Sequence, residues 1–213
     1  DAVPSIVNHL ISGGVDYLVV LGTTAETATL SKEEKIGLVE SIIAANSGKV
    51  PLVIGLGGNN TSALLHMFDW FDLSAFTAVL SVTPYYNKPS QEGLYQHFMN
   101  IANLSPLPII LYNVPSRTGV NIAPDTALRL ATDFENIVGL KEASGDFQQA
   151  QTLIKTCPSN FSIISGDDEM SLPLILAGAK GVISVIGNAI PKIYTKLLAE
   201  GINKEVASAY THQ

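Results

Sequence analysis

The stretch Pro108–Lys141, PIILYNVPSRTGVNIAPDTALRLATDFENIVGLK, contains the repeating unit on which the prediction of the fold depends. It begins with the apolar run Pro108–Tyr112 and ends with a second run, Ile137–Lys141, and neither alternates with polar residues. Such runs are typical of parallel strands that are covered on both faces. Between them, Pro124 suits the first turn of a helix that continues past Leu128.

The same alternation of apolar runs and amphipathic segments extends over all 213 residues. Further predicted strands are Val15–Leu21, Pro51–Leu56, Thr77–Val82, Phe161–Ser165 and Gly181–Ile186. Alternating strands and helices fit either a doubly wound sheet or a (β/α)8 barrel, the TIM barrel. No linker or charge block divides the chain, so residues 1–213 are predicted to form a single α/β domain.

Local signals place helices between these strands. Pro4–Ser12 carries an apolar face and stops at a pair of glycines. Ser31 and Glu34 have the spacing of a capping box at the start of a helix. Leu172–Ala177 is predicted to end at Gly178.

The count of strands bears on the choice of barrel. The runs Pro108–Tyr112 and Ile137–Lys141 and the five further runs make seven predicted strands. The first predicted element of the chain is a helix. A (β/α)8 barrel needs about 250 residues. We therefore expect a barrel whose first strand and C-terminal helices lie outside this sequence.

Composition excludes several classes of function. The net charge is −7 and no run of Lys and Arg occurs, so neither nucleic acid nor a membrane surface is an expected partner. Cys157 is the only cysteine, which rules out an intrachain disulfide. No signal sequence or apolar stretch of membrane-spanning length is present, and these features together favour the cytoplasm.

Other potential sites are discounted. The run Gly55–Gly58 is only superficially similar to a dinucleotide-binding loop, because Asn60 replaces the third glycine and no acidic residue ends the next strand. Asp167 and Asp168 are interpreted as the N-cap of a helix rather than as cation ligands. No metal site is expected, since the histidines are scattered and predicted to lie at the surface: His9, His66, His97 and His212.

Polar residues follow the predicted strands at their carboxyl ends, where barrel enzymes carry their chemistry. These segments are Gly22-Thr23-Thr24, Gly57-Gly58-Asn59, Thr83-Pro84-Tyr85-Tyr86, Tyr112-Asn113, Lys141-Glu142, Gly166-Asp167-Asp168 and Gly187-Asn188. Nothing comparable marks the amino ends. The asymmetry predicts a functional site at the carboxyl edge of the sheet.

Lys141 is the most informative of these residues. It follows an unbroken apolar run, so we expect it near the interior of the barrel. Apolar surroundings disfavour the ammonium and make a neutral, nucleophilic amine available. The alternative is that Lys141 has left the strand and pairs with Glu142 or Asp146 at the rim.

Four further residues have both a chemical and an ordinary interpretation. The phenol of Tyr112 suits proton transfer, although a buried tyrosine often bonds only to backbone. Thr23 and Thr24 offer hydroxyls and amides to a carboxylate, although turns rich in threonine are common. The donor fork of Arg117 also suits a carboxylate, although a loop arginine is often solvated.

Taken together, the motifs closely resemble those of the dihydrodipicolinate synthase family, which are pyruvate-dependent class I aldolases. The resemblance covers nearly the whole chain. It is carried, in order, by Gly22–Glu26 (GTTAE), Thr83–Pro89 (TPYYNKP), Tyr112–Gly119 (YNVPSRTG), Gly139–Gly145 (GLKEASG) and Ser165–Asp168 (SGDD).

The resemblance implies a lyase that condenses pyruvate with L-aspartate 4-semialdehyde, in the biosynthesis of diaminopimelate and lysine. Lys141 would form a Schiff base with pyruvate, and no cofactor or metal would be needed. Tyr112 would move protons, connected through Thr23 to Tyr86 of a neighbouring subunit. The implied substrate-binding residues are Thr24, Arg117, Gly166 and Ile183.

The resemblance also carries expectations about assembly and regulation. It implies a homotetramer built as a dimer of dimers. Ala25 replaces a glycine that is usual in the threonine turn, which matters only if its φ must be positive. Ala63 and Lys32 replace residues found in lysine-inhibited members, which indicates weak or no feedback by lysine.

Two alternatives remain open on the sequence. The same imine serves N-acetylneuraminate lyase and sugar-acid aldolases, although Tyr85–Asn87 and Ser116–Gly119 favour the synthase. A non-catalytic binding protein that keeps the fold is the alternative of another class. Such a protein would have little reason to retain Lys141, Tyr112, Thr23 and Tyr86 together.

Overall fold

The computed structural model describes residues 2–213 and contains a curled sheet of parallel strands. The strands pair in chain order, each with the next, and helices separate them. The sheet has seven strands: β1 Leu18–Val20, β2 Leu52–Gly55, β3 Ala78–Val82, β4 Ile109–Asn113, β5 Ile137–Glu142, β6 Ser162–Ser165 and β7 Gly181–Val182. Each predicted strand is present, and the parallel pairing agrees with their apolar composition.

The two outermost strands are shorter than predicted. β1 spans three residues of the predicted Val15–Leu21, and β7 spans two of Gly181–Ile186. Each pairs with a single neighbour among the described residues, so fewer backbone hydrogen bonds extend it. Residues Ile186–Asn188, after β7, form a 3₁₀ turn instead of strand.

Helices precede, connect and follow the strands of the sheet. They are α1 Val3–Ser12, α2 Lys32–Asn46, α3 Thr61–Met67, α4 Gln91–Leu104, α5 Pro115–Thr118, α6 Pro124–Asp133, α7 Phe147–Thr156, α8 Ser171–Ala177, α9 Pro191–Ile202 and α10 Val206–Tyr210. The predicted capping box is confirmed, because Ser31 accepts from the backbone of Glu34 and the Glu34 carboxylate accepts from the backbone of Ser31. Gly178, with φ of 117°, ends α8 as predicted.

Alternate residues of the strands build two separate apolar layers. Ile109 and Leu111 of β4 belong to the large layer between sheet and helices. Ile110 and Tyr112 belong to a smaller cluster on the inner, concave face. Successive side chains of a strand point to opposite faces, so residue parity decides which face a group reaches.

A register shift sets that parity for β5. Ile109 lies opposite Ile137, but Ile110 lies opposite Gly139, so β5 contributes two residues where β4 contributes one. Beyond the shift, Tyr112 lies opposite Lys141, and neighbours in register share a face. The extra residue therefore turns Lys141 to the inner face.

One surface prediction is wrong. His97 on α4 is 3% exposed, and its Nδ1 lies 2.8 Å from the hydroxyl of Thr61 on α3. Burial lowers the pKa of His97 to about 4. Packing of α4 against its neighbours α3 and α6 covers this side chain, whereas the sequence does not indicate which face of the helix is covered.

No helix within residues 2–213 combines the length and the apolar character needed to cross a membrane.

Candidate active site

Lys141 and Tyr112 lie side by side at the carboxyl ends of β5 and β4. The Nζ atom of Lys141 lies 4.1 Å from the centre of the Tyr112 ring. Both side chains are buried. The register that places them opposite each other thus brings an amine and a phenol into contact on the inner face.

The surroundings of Lys141 favour its neutral form. The side chain is 6% exposed, and burial lowers its pKa from 10.5 to about 8. The negative charge of Asp168 acts in the opposite direction, and the positive charge of Arg117 lowers the pKa further. Within residues 2–213 the amine takes part in no hydrogen bond or ion pair, so it does not pair with Glu142 or Asp146 at the rim.

The turn after β1 brings a hydroxyl to the phenol. Thr23 Oγ1 donates to the hydroxyl of Tyr112 across 3.4 Å. Residues Thr23–Ala25 form a 3₁₀ turn, and the left-handed backbone falls at Glu26, with φ of 49°. Ala25 is not among the residues of positive φ, so the backbone there imposes no need for glycine.

A cavity of about 1100 Å³ opens over Lys141. The structure brings most of the predicted site residues to its wall: Thr23, Thr24, Tyr112, Arg117, Lys141, Gly166 and Ile183. Gly166 is required by space, because a Cβ there would lie 2.7 Å from Cε of Lys141 and 2.9 Å from Cβ of Ala143. Arg117 is exposed and faces solvent at the rim.

Tyr86 is the one predicted site residue that lies apart. Its side chain is 89% exposed, and it does not line the cavity. Its φ of 73° is left-handed, a conformation that is unusual for a bulky residue and marks local strain. Within one chain, therefore, Tyr86 does not reach Tyr112.

No group of three His, Cys, Asp or Glu side chains with an arrangement that could hold a metal ion occurs in the described part of the chain.

A family model described as the dihydrodipicolinate synthetase family matches residues 1–213. The chain belongs to this family. Its resemblance to the dihydrodipicolinate synthase family on motifs alone is thereby confirmed.

Named relatives of the family are similar over nearly all of the chain. The 4-hydroxy-tetrahydrodipicolinate synthase of Flavobacterium psychrophilum is 56% identical over 209 residues, which are 98% of this chain and 71% of that protein. The enzyme of the same name from Bacillus subtilis is 43% identical over 205 residues, 96% of this chain and 71% of its own length.

Solved structures of the family have the same fold. The 4-hydroxy-tetrahydrodipicolinate synthase of Methylacidiphilum fumariolicum SolV superposes with a TM-score of 0.96 at 40% identity, over 99% of this chain and 70% of that one. The chloride-inhibited dihydrodipicolinate synthase of Acinetobacter baumannii, in complex with pyruvate, gives 0.94 at 42% identity, over 99% and 72%.

Asp168 has a part in the site that the sequence did not reveal. Asp167 caps only the turn before α8, where its Oδ1 accepts from the backbone N–H of Glu169 at 3.0 Å. Asp168 does not cap α8 either, because the N-cap position is Met170 without a side-chain bond, so the N-cap interpretation is wrong for the helix itself. Instead, Oδ2 of Asp168 accepts from the backbone N–H groups of Val185 at 3.0 Å and Ile186 at 2.8 Å. Its Oδ1 accepts from the hydroxyl of Tyr194 at 2.9 Å. The carboxylate thus anchors the loop after β7, which no local pattern predicts.

Proposed function

We propose that this protein condenses pyruvate with L-aspartate 4-semialdehyde to give 4-hydroxy-tetrahydrodipicolinate, the step that leads toward diaminopimelate and lysine. It would be a lyase of the class I aldolase type. The observation that carries the proposal is the buried amine of Lys141, with its lowered pKa, against the phenol of Tyr112. Membership of the dihydrodipicolinate synthetase family and the names of the relatives support it.

The chemistry begins with the neutral amine of Lys141. It attacks the keto carbon of pyruvate, and loss of water gives an imine. Removal of a methyl proton then gives an enamine, whose carbon adds to the aldehyde. The amino group of the second substrate displaces Lys141 and closes the ring. The imine itself accepts the electron pair of the carbanion, so the reaction requires no bound cofactor.

We propose roles for the other residues from the family resemblance, and their positions support these roles. Tyr112 would move protons, because its hydroxyl both donates and accepts, and Thr23 holds that hydroxyl. Thr24 would bind the pyruvate carboxylate, with Gly166 and Ile183 lining the pocket. Arg117 at the rim would bind the carboxylate of the semialdehyde. The pyruvate complex of the Acinetobacter baumannii protein supports the first substrate.

We propose that the seven strands belong to one (β/α)8-barrel domain, with the first strand and the C-terminal helices outside this sequence. Tyr17, directly before β1, donates to the backbone oxygen of Val182 in β7 across 3.1 Å. The two sheet edges therefore face each other across a gap that a tyrosine side chain spans. Both β1 and β7 pair on one side only among the described strands, which supports one further strand between them.

The exposure of Tyr86 supports a site completed by a second copy of the chain. We propose a homotetramer, a dimer of dimers, in which Tyr86 reaches Tyr112 of the neighbouring subunit. Sedimentation equilibrium of the full-length protein is expected to give four copies. A monomer that retains full activity would contradict this assembly.

We place the reaction in the cytoplasm, with the rest of amino-acid biosynthesis, and include neither nucleic acid nor membrane among the partners.

Borohydride reduction in the presence of pyruvate tests the reaction class. A reduced adduct is expected on Lys141 by peptide mass mapping. Steady-state assays then decide the second substrate, with turnover expected for aspartate semialdehyde and none for N-acetylneuraminate. A folded protein that forms no adduct would overturn the proposal.

Gly166→Ala is expected to lower kcat/KM for pyruvate by roughly 10–100-fold, because the added methyl group displaces the Lys141 side chain. Steady-state kinetics and the rate of borohydride trapping measure the effect. Gly37→Ala on α2 is the matched control, since a Cβ there meets nothing within 4 Å. Equal activity of the two variants would contradict the crowding argument.

Asp168→Asn is expected to shift the pH midpoint of imine formation to lower pH. The carboxylate raises the pKa of Lys141, so removing its charge lets that pKa fall further. The amide oxygen still accepts from the backbone of the loop after β7. Trapping rates as a function of pH measure the shift, with Asp125→Asn on α6 as a control for net charge. An upward shift would show that another interaction controls the amine.

A further inference from the structure

The residues that directly follow Tyr112 and Lys141 face away from the cavity and bind each other. Asn113 is fully buried and Glu142 is 2% exposed. The Nδ2 atom of Asn113 lies 3.0 Å and 3.2 Å from the two carboxylate oxygens of Glu142. This bond crosses from β4 to β5 one residue beyond the amine and the phenol.

The carboxylate of Glu142 also accepts hydrogen bonds from donors outside the two strands. The backbone N–H of Ser144 donates to it across 2.6 Å, and Nε2 of Gln149 on α7 donates across 2.9 Å. Among residues 2–213 it forms no ion pair. A buried carboxylate is costly unless it is hydrogen bonded, and these neutral donors supply that compensation.

Asn113 closes the loop that carries Arg117. Its Oδ1 accepts from the backbone N–H of Ile122 at 3.0 Å, and its Nδ2 also donates to Oδ1 of Asn121 at 2.7 Å. The side chains of Asn121 and Gln149 bond to each other in both directions, at 2.7 Å and 3.1 Å. Both ends of the segment around Arg117 are therefore joined to the buried carboxylate.

We propose that Glu142 and Asn113 are positioning residues that fix the loop of Arg117 relative to Lys141. This role rests on the proposed function and adds to it the placement of the second substrate. The imine forms on β5, whereas the carboxylate of the second substrate would bind on the loop after β4. A rigid link between them sets the distance at which the aldehyde meets the enamine, and small misplacements of reacting groups cost large factors in rate.

Glu142→Gln is the first test. Every group that faces Glu142 is a donor, so the amide nitrogen of glutamine has no acceptor there, and the loop is released. We expect kcat/KM for the semialdehyde to fall on the order of 10–100-fold. Half-saturation of borohydride trapping by pyruvate is expected to stay within about threefold, because Lys141 remains on its strand.

A reversed pair separates positioning from simple loss of stability. In Asn113→Asp with Glu142→Gln, the new amide donates and the new carboxylate accepts, so the cross-strand bond is restored with opposite polarity. Asn113 also donates to Asn121, and Gln149 donates to Glu142, so the amides of Asn121 and Gln149 turn over in this variant and exchange the positions of their oxygen and nitrogen atoms. This double variant is expected to recover most of the loss of the single variant. Glu92→Gln on α4, an exposed glutamate, is the matched control and should retain wild-type kinetics.

The outcomes are distinct. A folded Glu142→Gln protein with semialdehyde kcat/KM within twofold of wild type overturns the inference. A loss shared equally by pyruvate trapping, or a reversed pair no better than the single variant, overturns it too. Should Glu142→Gln not fold, Asn121→Ala takes its place, because this substitution releases only the loop. The same result is then expected: a fall in kcat/KM for the semialdehyde without a matching change in the half-saturation of trapping by pyruvate. Failure of wild type to trap pyruvate would instead reject the proposed function itself.

Discussion

Lys141→Met is expected to abolish imine formation and to make the folded protein more stable at neutral pH. The nucleophile is removed, so kcat should fall by roughly three orders of magnitude or more. Methionine has a similar length and fills the same apolar space against Tyr112 without an ionisable group. The two effects have opposite signs, because the property that makes the amine reactive also destabilises the fold.

The pH dependence of the gain follows from the pKa of Lys141, which is lowered from 10.5 to about 8 in the folded state. Between those values the unfolded chain binds a proton that the folded chain does not. Stability therefore falls as pH decreases through this window, and the cost is constant below pH 8. Its size is about 3 kcal/mol at pH 7, since each pH unit of difference contributes about 1.4 kcal/mol.

Urea denaturation at pH 7 and above pH 10.5 measures the difference, alongside borohydride trapping with pyruvate. The gain of Lys141→Met over wild type should be present at the lower pH and absent at the higher one. Lys155→Met, an exposed lysine on α7, is the control and should show neither effect. A trapped adduct in Lys141→Met, or a variant less stable than wild type at neutral pH, would contradict the assignment.

Tyr112→Phe is expected to lower kcat by roughly 10²–10⁴-fold, the usual contribution of a positioned proton donor and acceptor. The ring that contacts Lys141 is retained, so pyruvate should still bind. Only the hydroxyl is lost, together with its long bond to Thr23. Stability is therefore expected to change little, because the lost bond is at 3.4 Å and the ring stays packed.

Tyr95→Phe is the matched control for this substitution. Tyr95 is also buried at the ring, and its hydroxyl donates to Asp133 at the surface, remote from the cavity. Steady-state kinetics with both substrates and thermal unfolding distinguish the two variants. A Tyr112→Phe enzyme within tenfold of wild-type kcat would show that protons move by another route.

The sequence predicts the strands well because their signal is local. Unbroken apolar runs such as Pro108–Tyr112 predict a strand buried on both faces, and β4 and β5 lie within a residue of their predicted bounds. The predicted bounds of the two edge strands, β1 and β7, are the least accurate, since the length of a strand depends on how many neighbouring strands pair with it. Nothing in the run Gly181–Ile186 indicates that this strand pairs with only one neighbour, β6, among the described strands.

Contacts between side chains that lie far apart in the sequence cannot be predicted from such local patterns. The bonds of Asp168 to the loop after β7 join residues 17 and 18 positions apart, and those of Asn113 to Glu142 join residues 29 apart. Both carboxylates lie in motifs that the sequence highlights, yet the local pattern around Asp168 indicates a helix cap. Burial of His97 is likewise not indicated by the sequence, because neighbouring helices decide which face of its helix is covered.

Hydrophobic periodicity and capping act over a few residues, so local patterns are enough to predict the order of strands and helices and the edge at which the polar residues lie. The inward direction of Lys141, in contrast, depends on how β5 pairs with β4. Continued alternation from Ile137 would have turned the amine toward the helices, and the shift of one residue against β4 reverses it. Pairing between strands, which joins residues far apart in the chain, sets that register.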